Sequence, residues 1–527
     1  MTYNSTEDQW KPQLKRYPHI GEPLAKADLH WIKAYVSKEE NIVKHKFMPL
    51  IHRTMHHRKY RPTDCATKTP TGKRMRESSV KDREIYFASH FDSIIYSYYS
   101  HILNKAYEEF IKDKPYNNSA VAYRKIKIED TGKGKCNIEF AAESFGFVEA
   151  NKDRKLSVII ADVTKFFDNL NHKLLKRQWQ RILGRDSLPD DHYAVYKNLI
   201  HNSYVEEYEL FKRFQHKLIV ERNKPNNTSI QVLKNKKVNR FTNIRKENVV
   251  AFCSSKNFFK EAKDLIKKDK PNCTLVRAFK DLEPKSGVPQ GNPISATLAN
   301  VYMLDFDEHI FNEVTNRGGF YQRYSDDLII ICNQEDESYF YELVQTEIEV
   351  KSKLEIQAQK TKVYRYQLDE HLKFNGGVFD GESINPNKQL EYLGFTYDGA
   401  KVRVKSAAFS KFYRGMKRAI RRGAHFAMKA NIPTNNLYKT RLYKKYTHIG
   451  SKRRLIWKTD MNCPTGYSCT KKQDWGNFIS YLTKSNNAMV FINKDNSIRK
   501  QSRKMWGKFQ VEMKNAENTI NEKVEKQ

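Results

Sequence analysis

The chain has 527 residues and carries 95 Lys and Arg against 61 Asp and Glu, a formal net charge of +34 at neutral pH. Hydrophobic residues make up 39% of it and aromatic residues 12%, which argues against global disorder, and the length suggests several domains. Because such a charge excess calls for a polyanion, nucleic acid is the first candidate partner and an anionic membrane surface the second.

Features typical of secreted or membrane proteins are not found in the sequence. The seven cysteines are scattered, and Cys463 and Cys469 do not have the spacing of a zinc knuckle. The first residues are polar and acidic, unlike a signal peptide. No apolar run approaches the ~18–20 residues needed to cross a bilayer. We therefore expect a cytoplasmic protein that does not contact a membrane.

Local patterns in the first half of the chain predict mixed secondary structure. Residues 83–112 have apolar side chains at helical spacing, and residues 125–140 are typical of a hairpin that turns at Thr131 to Gly134. The apolar, β-branched residues 156–161 predict a buried strand, and residues 172–183 predict an amphipathic helix. Residues 205–280 are rich in Lys, Arg and Asn, and we interpret them as a basic insertion between two core motifs.

The second half begins with a hairpin-like unit and becomes helical. Residues 315–333 predict two strands, and a helix and a further strand follow up to about residue 366. Residues 409–422 predict a very basic helix, and the remainder is expected to be mostly helical with a polar tail after residue 510.

Two adjacent aspartates lie at the edge of what looks like a buried strand. Residues 321–324 and 328–331 are both strand-like, so Asp326 and Asp327 are expected in a tight turn between them. An ordinary polar turn would also explain them, because Asp is common in turns. A pair of like charges at a buried edge is costly unless a cation neutralises it.

A third aspartate favours the cation. Asp162 ends the predicted strand 156–161 and begins the stretch Asp162-Val-Thr-Lys-Phe-Phe167. Carboxylates on neighbouring strand edges can share two divalent ions, which stabilise the attacking and leaving oxygens of an in-line phosphoryl transfer. The sequence therefore predicts a two-metal site that activates a primer hydroxyl and holds a triphosphate.

Five motifs in the expected order resemble those of the reverse transcriptases. They are Asp162 to Phe167, Gly287-Val-Pro-Gln-Gly-Asn-Pro-Ile-Ser-Ala296, Tyr324-Ser-Asp-Asp327, Leu354 to Thr361 and Tyr392-Leu-Gly-Phe395. The resemblance implies an RNA-directed DNA polymerase with an α+β right-hand fold. Its parts would be an N-terminal extension and fingers in residues 1–158, a palm in 159–395 containing the insertion at about 205–280, and a thumb with a helical, basic C-terminal region in 396–527.

The resemblance also implies roles for individual residues. Asp162, Asp326 and Asp327 would be the catalytic carboxylates, and together with the carbonyl of Val163 they would hold two Mg²⁺ ions, for which Mn²⁺ can substitute. The nucleotide would be bound by Arg83, Phe167, Gln290 and Lys360. The primer and template would be shaped by Tyr324, Ser325, Gly291 and Gly394.

Two of these assignments have plain alternatives. Arg83 matches the fingers arginine whose planar fork meets phosphate oxygens at two points, but it could be a surface charge on a helix. The ring of Phe167 would collide with a ribose 2′-hydroxyl and so favour deoxynucleotides, but it could be a core side chain. Ser295-Ala296 departs from the usual Ser-Pro of its motif, which leaves the geometry of that helix open.

Less specific stretches resemble the bacterial defence-associated, abortive-infection ("unknown group") reverse transcriptases. They are His45 to His52, Ala122-Tyr-Arg-Lys125 and Phe478-Ile-Ser-Tyr481. The retron boxes, a Cys/His-rich endonuclease domain and an RNase H acidic cluster are not found. The implied function is cDNA synthesis in antiphage defence, with a structured non-coding RNA as template, dNTPs as substrates, a DNA product and, in some members, a homo-oligomer.

Other functions remain open at this point. The same site could synthesise DNA without a template or from a protein hydroxyl, and an inactive polymerase fold could act as an RNA-binding scaffold. The basic helix 409–422 would follow phosphates without reading sequence, and the segment 211–245 is a candidate site for structured RNA.

Overall fold

The computed structural model describes residues 10–62, 75–129, 132–224, 227–268, 287–429, 437, 439–452, 454–460, 463–473 and 476–524. The strands are β1 His19–Ile20, β2 Leu50–Pro62, β3 Arg76–Phe87, β4 Leu156–Asp162, β5 Tyr204–Glu206, β6 Leu218–Lys224, β7 Asn227–Lys236, β8 Val249–Cys253, β9 Phe320–Tyr324, β10 Asp327–Asn333, β11 Lys362–Leu368, β12 Phe374–Phe379, β13 Ile384–Asn385, β14 Leu390–Tyr392, β15 Phe395–Tyr397, β16 Val402–Val404, β17 Leu455–Thr459 and β18 Tyr467–Gln473. The helices are α1 Leu29–Val36, α2 Glu39–Lys44, α3 His90–Ile111, α4 Asn137–Ala150, α5 His172–Leu183, α6 Asp190–Ile200, α7 Glu207–Phe214, α8 Ser255–Glu261, α9 Ser295–Tyr302, α10 Leu304–Asn316, α11 Glu337–Ser352, α12 Ser406–Lys429, α13 Lys439–Tyr446, α14 Phe478–Ala488, α15 Ser497–Gln501 and α16 Met505–Val524.

A six-stranded sheet, which we call the central sheet, organises the fold. Its strand order is β13-β12-β11-β4-β10-β9, and every neighbouring pair is antiparallel. Alternation along β4 sends Ile159 and Ala161 to one face and Leu156 and Val158 to the other, and each face is buried. One face packs against α3, α5, α9, α10 and α11, and the other against α4, the small sheet β14-β15-β16 and α14. Both faces are apolar because both are covered by helices.

Two further units are formed by segments of the chain that come before β4 and between β4 and β9. The hairpin β2-β3 is long, and β2 also pairs in parallel with β5. The segment that we interpreted as an insertion forms α7, α8 and most of a four-stranded sheet of order β1-β8-β6-β7, whose core includes Phe211, Phe252 and Phe258. The strand β1 near the N-terminus therefore completes the sheet of the insertion.

The C-terminal region is mainly helical and has its own core. The long helix α12 packs against α13 and α16 through Met416, Ile420, Phe509 and Met513. The α+β fold class expected from the sequence is confirmed. No helix in the described part of the chain is both long and apolar enough to span a membrane.

Several local predictions are confirmed and others are wrong. The strand at 156–161, the helix at 172–183 and the two strands flanking Asp326 are confirmed. The predicted helix 83–112 is wrong in its first turn, because Arg83 to Phe87 pair with β2 and the helix begins only at His90, after the capping Ser89.

Two other local predictions fail because longer-range structure overrides the local pattern. The predicted hairpin 125–140 is reduced to a bridge between Lys127 and Gly134, since α4 already begins at Asn137. The C-terminal region also contains the strand pair β17-β18, which the helical interpretation missed.

Candidate active site

The three predicted catalytic aspartates meet at one end of the central sheet. Asp162 ends β4 and lies directly opposite Asp327, the first residue of the neighbouring strand β10. Asp326 belongs to the two-residue turn between β9 and β10, and the backbone NH of Val163 donates to its carbonyl oxygen at 3.2 Å. The antiparallel register therefore brings together carboxylates that are far apart in the sequence.

The electrostatics of this strand end reflect the concentration of negative charge. Desolvation in the cleft, followed by the negative charges of Asp326 and Asp162, raises the pKa of Asp327 to about 6. Solvent still reaches the Asp327 side chain, as an open site requires. The Lys360 ammonium forms an ion pair with the Asp162 carboxylate. The positive charges of Lys405 and then Lys360 oppose the rise in the pKa of Asp327.

Lys360 reaches Asp162 because the segment before it is bonded to the end of β4. The NH of Gln357 donates to the Asp162 carbonyl at 2.8 Å, and the NH of Thr164 donates to the Glu355 carbonyl at 2.8 Å. These bonds fix the chain that leads into the short helical turn ending at Lys360. The predicted nucleotide-binding lysine thus lies beside a predicted metal ligand.

A buried ion pair supports the turn between β9 and β10, and the sequence interpretation missed it. The Arg323 guanidinium donates to both carboxylate oxygens of Asp307, at 2.7 and 2.6 Å, and both side chains are almost completely buried. Its third nitrogen donates to the carbonyl of Ser325 at 3.0 Å. Arginine in a strand that was expected to be buried was the signal that could have revealed it, because a buried charge requires a partner.

Ser325 adopts a backbone conformation that needs this support. Its φ is +63°, which side chains other than glycine rarely adopt, and it is the first central residue of the turn that joins Tyr324 to Asp327. The hydroxyl of Tyr123 lies 3.3 Å from the Ser325 hydroxyl. Tyr324, half-buried beside them, has its pKa raised by burial and by Tyr123.

Tyr123 is presented by a loop that is anchored on several sides. The NH of Val121 donates to the Arg323 carbonyl at 3.0 Å, and the Asn300 side chain donates to the Ala122 carbonyl at 2.8 Å. Arg124, itself buried, binds both carboxylate oxygens of Glu108 at 2.8 Å. Tyr123 remains 52% exposed, so the loop holds an accessible aromatic side chain beside the turn between β9 and β10.

The loop containing Gln290 and Gly291 joins the hairpin β2-β3 to the central sheet. The NH of Tyr86 on β3 donates to the Gln290 carbonyl at 2.8 Å. The NH of Val288 donates to the Phe167 carbonyl at 2.8 Å, so the same loop covers the chain after Asp162. Gly291 has φ +119°, and an added Cβ would lie 2.8 Å from the Tyr86 carbonyl oxygen. Only glycine fits this close approach.

Phe167 and Arg83 belong to two segments that both contact this loop. Phe167 is half-buried and packs edge-on against Phe166, with ring centroids 5.2 Å apart. Arg83 is exposed on β3, and strand alternation puts it on the same face as Ile85, which faces Gly291. The alternative interpretation of Arg83 as a helix charge is wrong, because the residue lies on a strand.

Gly394 lies in the tight turn between β14 and β15. Leu393 and Gly394 have φ values of +42° and +94°, as a two-residue type I′ hairpin requires. The turn is held by Asn137, whose side chain donates to the Leu393 carbonyl at 3.0 Å. Tyr392, just before the turn, is buried and lies close enough to Asp327 for that charge to contribute to raising its pKa.

The donor set suits divalent cations, although no preformed metal cluster is found. Among the described residues, no group of three or more His, Cys, Asp or Glu side chains has an arrangement that could hold a metal ion. Carboxylate oxygens are nevertheless the ligands that Mg²⁺ prefers, and burial, followed by repulsion from Asp326 and Asp162, raises the pKa of Asp327. A cation that replaced Lys360 at Asp162 would relieve this repulsion.

A basic cleft lies in the C-terminal region, between α12, α13 and the start of α14. Its volume is about 860 Å³, and no carboxylate is found among the residues that line it. The cations that line it are Lys411, Arg414, Arg418, Arg441, Lys444 and Lys445. A cleft of this charge suits a phosphate backbone.

Comparison with known proteins identifies one domain. Residues 241–397 match the family described as "Reverse transcriptase (RNA-dependent DNA polymerase)". No curated protein matches the chain. Solved structures similar to the chain include apo telomerase from Candida tropicalis, truncated from the C-terminal domain, at 12% identity and a TM-score of 0.36 over 71% of this chain and 60% of that one. Another is telomerase from Candida albicans in complex with a TWJ fragment of telomeric RNA, at 11% identity and a TM-score of 0.36 over 92% of this chain and 66% of that one.

The chain spans less than two thirds of the length of these two telomerases. The matched residues identify a reverse transcriptase domain within the chain, and the domain's description is that of an RNA-dependent DNA polymerase. Reverse transcriptases generally use divalent metal ions.

Proposed function

We propose that this chain, which carries a reverse transcriptase domain, copies an RNA template into DNA at the strand end formed by Asp162, Asp326 and Asp327. The observation that carries the proposal is the direct pairing of Asp162 with Asp327 across β4 and β10. These carboxylates and the Val163 carbonyl would hold two Mg²⁺ ions, which would supply charge stabilisation to the attacking and leaving oxygens.

The reaction forms one phosphodiester bond. The primer 3′-oxygen attacks the α-phosphorus of a dNTP, the bond between the α-phosphorus and its bridging oxygen breaks, and pyrophosphate leaves. In the proposed reaction Arg83 and Lys360 bind the triphosphate oxygens. Lys360 leaves Asp162 when divalent cations bind to the carboxylates. Because an arginine fork and an ammonium are both positive, they balance the charge of the leaving group.

The remaining predicted site residues would orient the substrates. Phe167 would lie beneath the sugar and exclude a 2′-hydroxyl. Gln290 and Gly291 would support the incoming nucleotide and the template base. Tyr324, Ser325 and Gly394 would contact the primer end, since one of their turns ends at Asp327 and the other follows Tyr392, whose pKa the Asp327 charge helps to raise.

The test is extension of a primed RNA template by the purified protein with Mg²⁺ and labelled dNTPs. We expect DNA synthesis by the wild-type chain and none by the Asp326→Ala variant. Asp153→Ala is the matched control, because Asp153 is an exposed aspartate in the loop before β4 and should leave synthesis unchanged. Incorporation that survives Asp326→Ala would refute the catalytic assignment.

We further propose a role in bacterial antiphage defence with a structured non-coding RNA. The support is the resemblance of three stretches to defence-associated reverse transcriptases, one of which contains Tyr123 beside the catalytic turn. Sequencing the RNA and DNA that copurify with the chain from cells tests this: a cDNA copy of one defined RNA is expected. Untemplated DNA, or DNA covalently attached to the protein, would instead favour the alternative modes of synthesis. Plaque counts on cells that carry the Asp326→Asn variant should rise to the level without the gene.

A further inference from the structure

The hairpin β17-β18 exposes an unusual number of large apolar side chains. Trp457 is 60% exposed and Tyr467 is 56% exposed, and Leu455 is about half exposed. Trp457 on β17 pairs with Cys469 on β18, and Tyr467 lies two residues before Cys469 on β18. Because side chains alternate along a strand, Trp457, Cys469 and Tyr467 share one face. We call this face the aromatic face.

The aromatic face has no aromatic partner among the residues that the structure describes. Neither ring packs against another described ring, whereas most other aromatic residues of the C-terminal region do so, for example Phe412 on Phe478. Ordering two large exposed rings on a two-stranded ribbon gains little fold stability. Their position is therefore better explained by a ligand than by packing within this chain.

The position and charge of the hairpin indicate the ligand. The chain passes from Tyr446 through the hairpin to Gly476 and Asn477, and all three of these residues line the basic cleft. Described residues that precede and follow the hairpin in the chain thus line a cleft that has no lining carboxylate. Residues 452–473 also contain six Lys or Arg and one Asp.

Exposed aromatic rings beside a cationic groove are the pattern with which proteins bind unpaired nucleic acid. Bases stack on the rings, and the groove follows the phosphates. An apolar protein partner would not require the charge. We propose that the aromatic face of β17-β18 stacks unpaired bases of RNA whose backbone continues into the basic cleft. RNA is the expected strand because the domain requires RNA as its template. The inference rests on the proposed function.

The test is equilibrium binding of a fluorescently labelled, unstructured RNA to the full chain without dNTPs, at several salt concentrations. Loss of a base–aromatic stack should weaken binding roughly 5- to 100-fold in Trp457→Ala. The slope of log affinity against log salt should not change, because the ring releases no counterion. Trp457→Phe keeps an aromatic surface and should retain most of the affinity.

Ile456→Ala is the matched control, because Ile456 is an exposed apolar residue next to Trp457 that has no aromatic ring to stack on a base. All variants should melt at the wild-type temperature. The proposal is overturned if Trp457→Ala and Ile456→Ala bind RNA equally well, or if Trp457→Ala weakens binding of DNA of the same sequence but not of RNA. It is also overturned if Trp457→Ala only changes the oligomeric state.

Failure of this inference can be told apart from failure of the proposed function. If the wild-type chain extends a primed RNA template but Trp457→Ala binds RNA normally, only the inference fails. If RNA binding depends on Trp457 but the wild-type chain makes no DNA, only the proposed function fails.

Discussion

Replacing Asp307 by Asn should destabilise the protein strongly, although Asp307 is not one of the predicted catalytic residues. The substitution removes the charge partner of Arg323, whose side chain is 0% exposed. Breaking one partner of a buried ion pair typically costs about 3–5 kcal/mol, because the other charge stays buried without compensation. The Tyr321 hydroxyl, which donates to the same carboxylate at 2.7 Å, also loses an ionised acceptor.

The cost should be visible in thermal melting of the unit that contains the central sheet. At about 2 °C or more per kcal/mol, the melting temperature should fall by roughly 6 °C or more. Activity should fall further than the folded fraction does at the assay temperature, because Arg323 also binds the carbonyl of Ser325 in the catalytic turn. Circular dichroism and primer extension on the same preparation give both quantities.

Two variants make this prediction sharp. Asp264→Asn breaks an ion pair with Arg213 that lies in solvent, so it should not shift the melting temperature measurably. The double substitution Asp307→Leu with Arg323→Met removes both charges and should recover much of the stability but not the activity, since the bond to Ser325 is still lost. A melting temperature of Asp307→Asn equal to that of Asp264→Asn would refute the reasoning.

Three further predictions follow from the same strand end. Since the folded state raises the pKa of Asp327 from 3.8 to about 6, metal-free protein should lose stability as the pH rises from about 4 through 6, and melting in EDTA should show this loss in the wild type but not in Asp327→Asn. Gly291→Ala should raise the KM for dNTPs, because the added methyl would lie 2.8 Å from the Tyr86 carbonyl oxygen. Gly381→Ala is the control and should leave the KM unchanged, because Gly381 also has a positive φ but has open space around it. Phe167→Val should raise ribonucleotide incorporation relative to deoxynucleotide incorporation by roughly 10-fold or more, measured with single-nucleotide extension; an unchanged ratio would indicate that the ring is only a core side chain.

The residues of the site could be predicted from the sequence where the signal is local. Asp162 follows a short β-branched run, and Asp326 and Asp327 interrupt two strand-like segments, so each carboxylate could be assigned to a strand end. What the sequence could not give directly is their register. Asp162 lies opposite Asp327 because Ile160 pairs with Ile329 and the same register continues along both strands.

Long-range pairings explain most of the errors. Arg83 looked helical because Ile85, Phe91 and Ile94 have helical spacing, but the pairing of β3 with β2 overrides that pattern up to Phe87. The strand β17 was also missed because of a long-range pairing. Its partner strand begins after a loop that lacks the signal of a two-residue β-hairpin turn. Arg323 and Asp307 are 16 residues apart, on a strand and on a helix, so no periodicity connects them.

The positions of the missed contacts have a common physical reason. A turn that holds two consecutive aspartates and a Ser at positive φ is unfavourable by itself, and such strain persists only where the surrounding structure determines the conformation. Arg323 binds the turn at the Ser325 carbonyl, and Val163 binds it at the Asp326 carbonyl. Because these anchors use backbone oxygens, the Asp326 and Asp327 carboxylates stay available to cations. In the proposed reaction, a site preorganised in this way would not need to rearrange when charge develops, which is the condition for efficient electrostatic stabilisation.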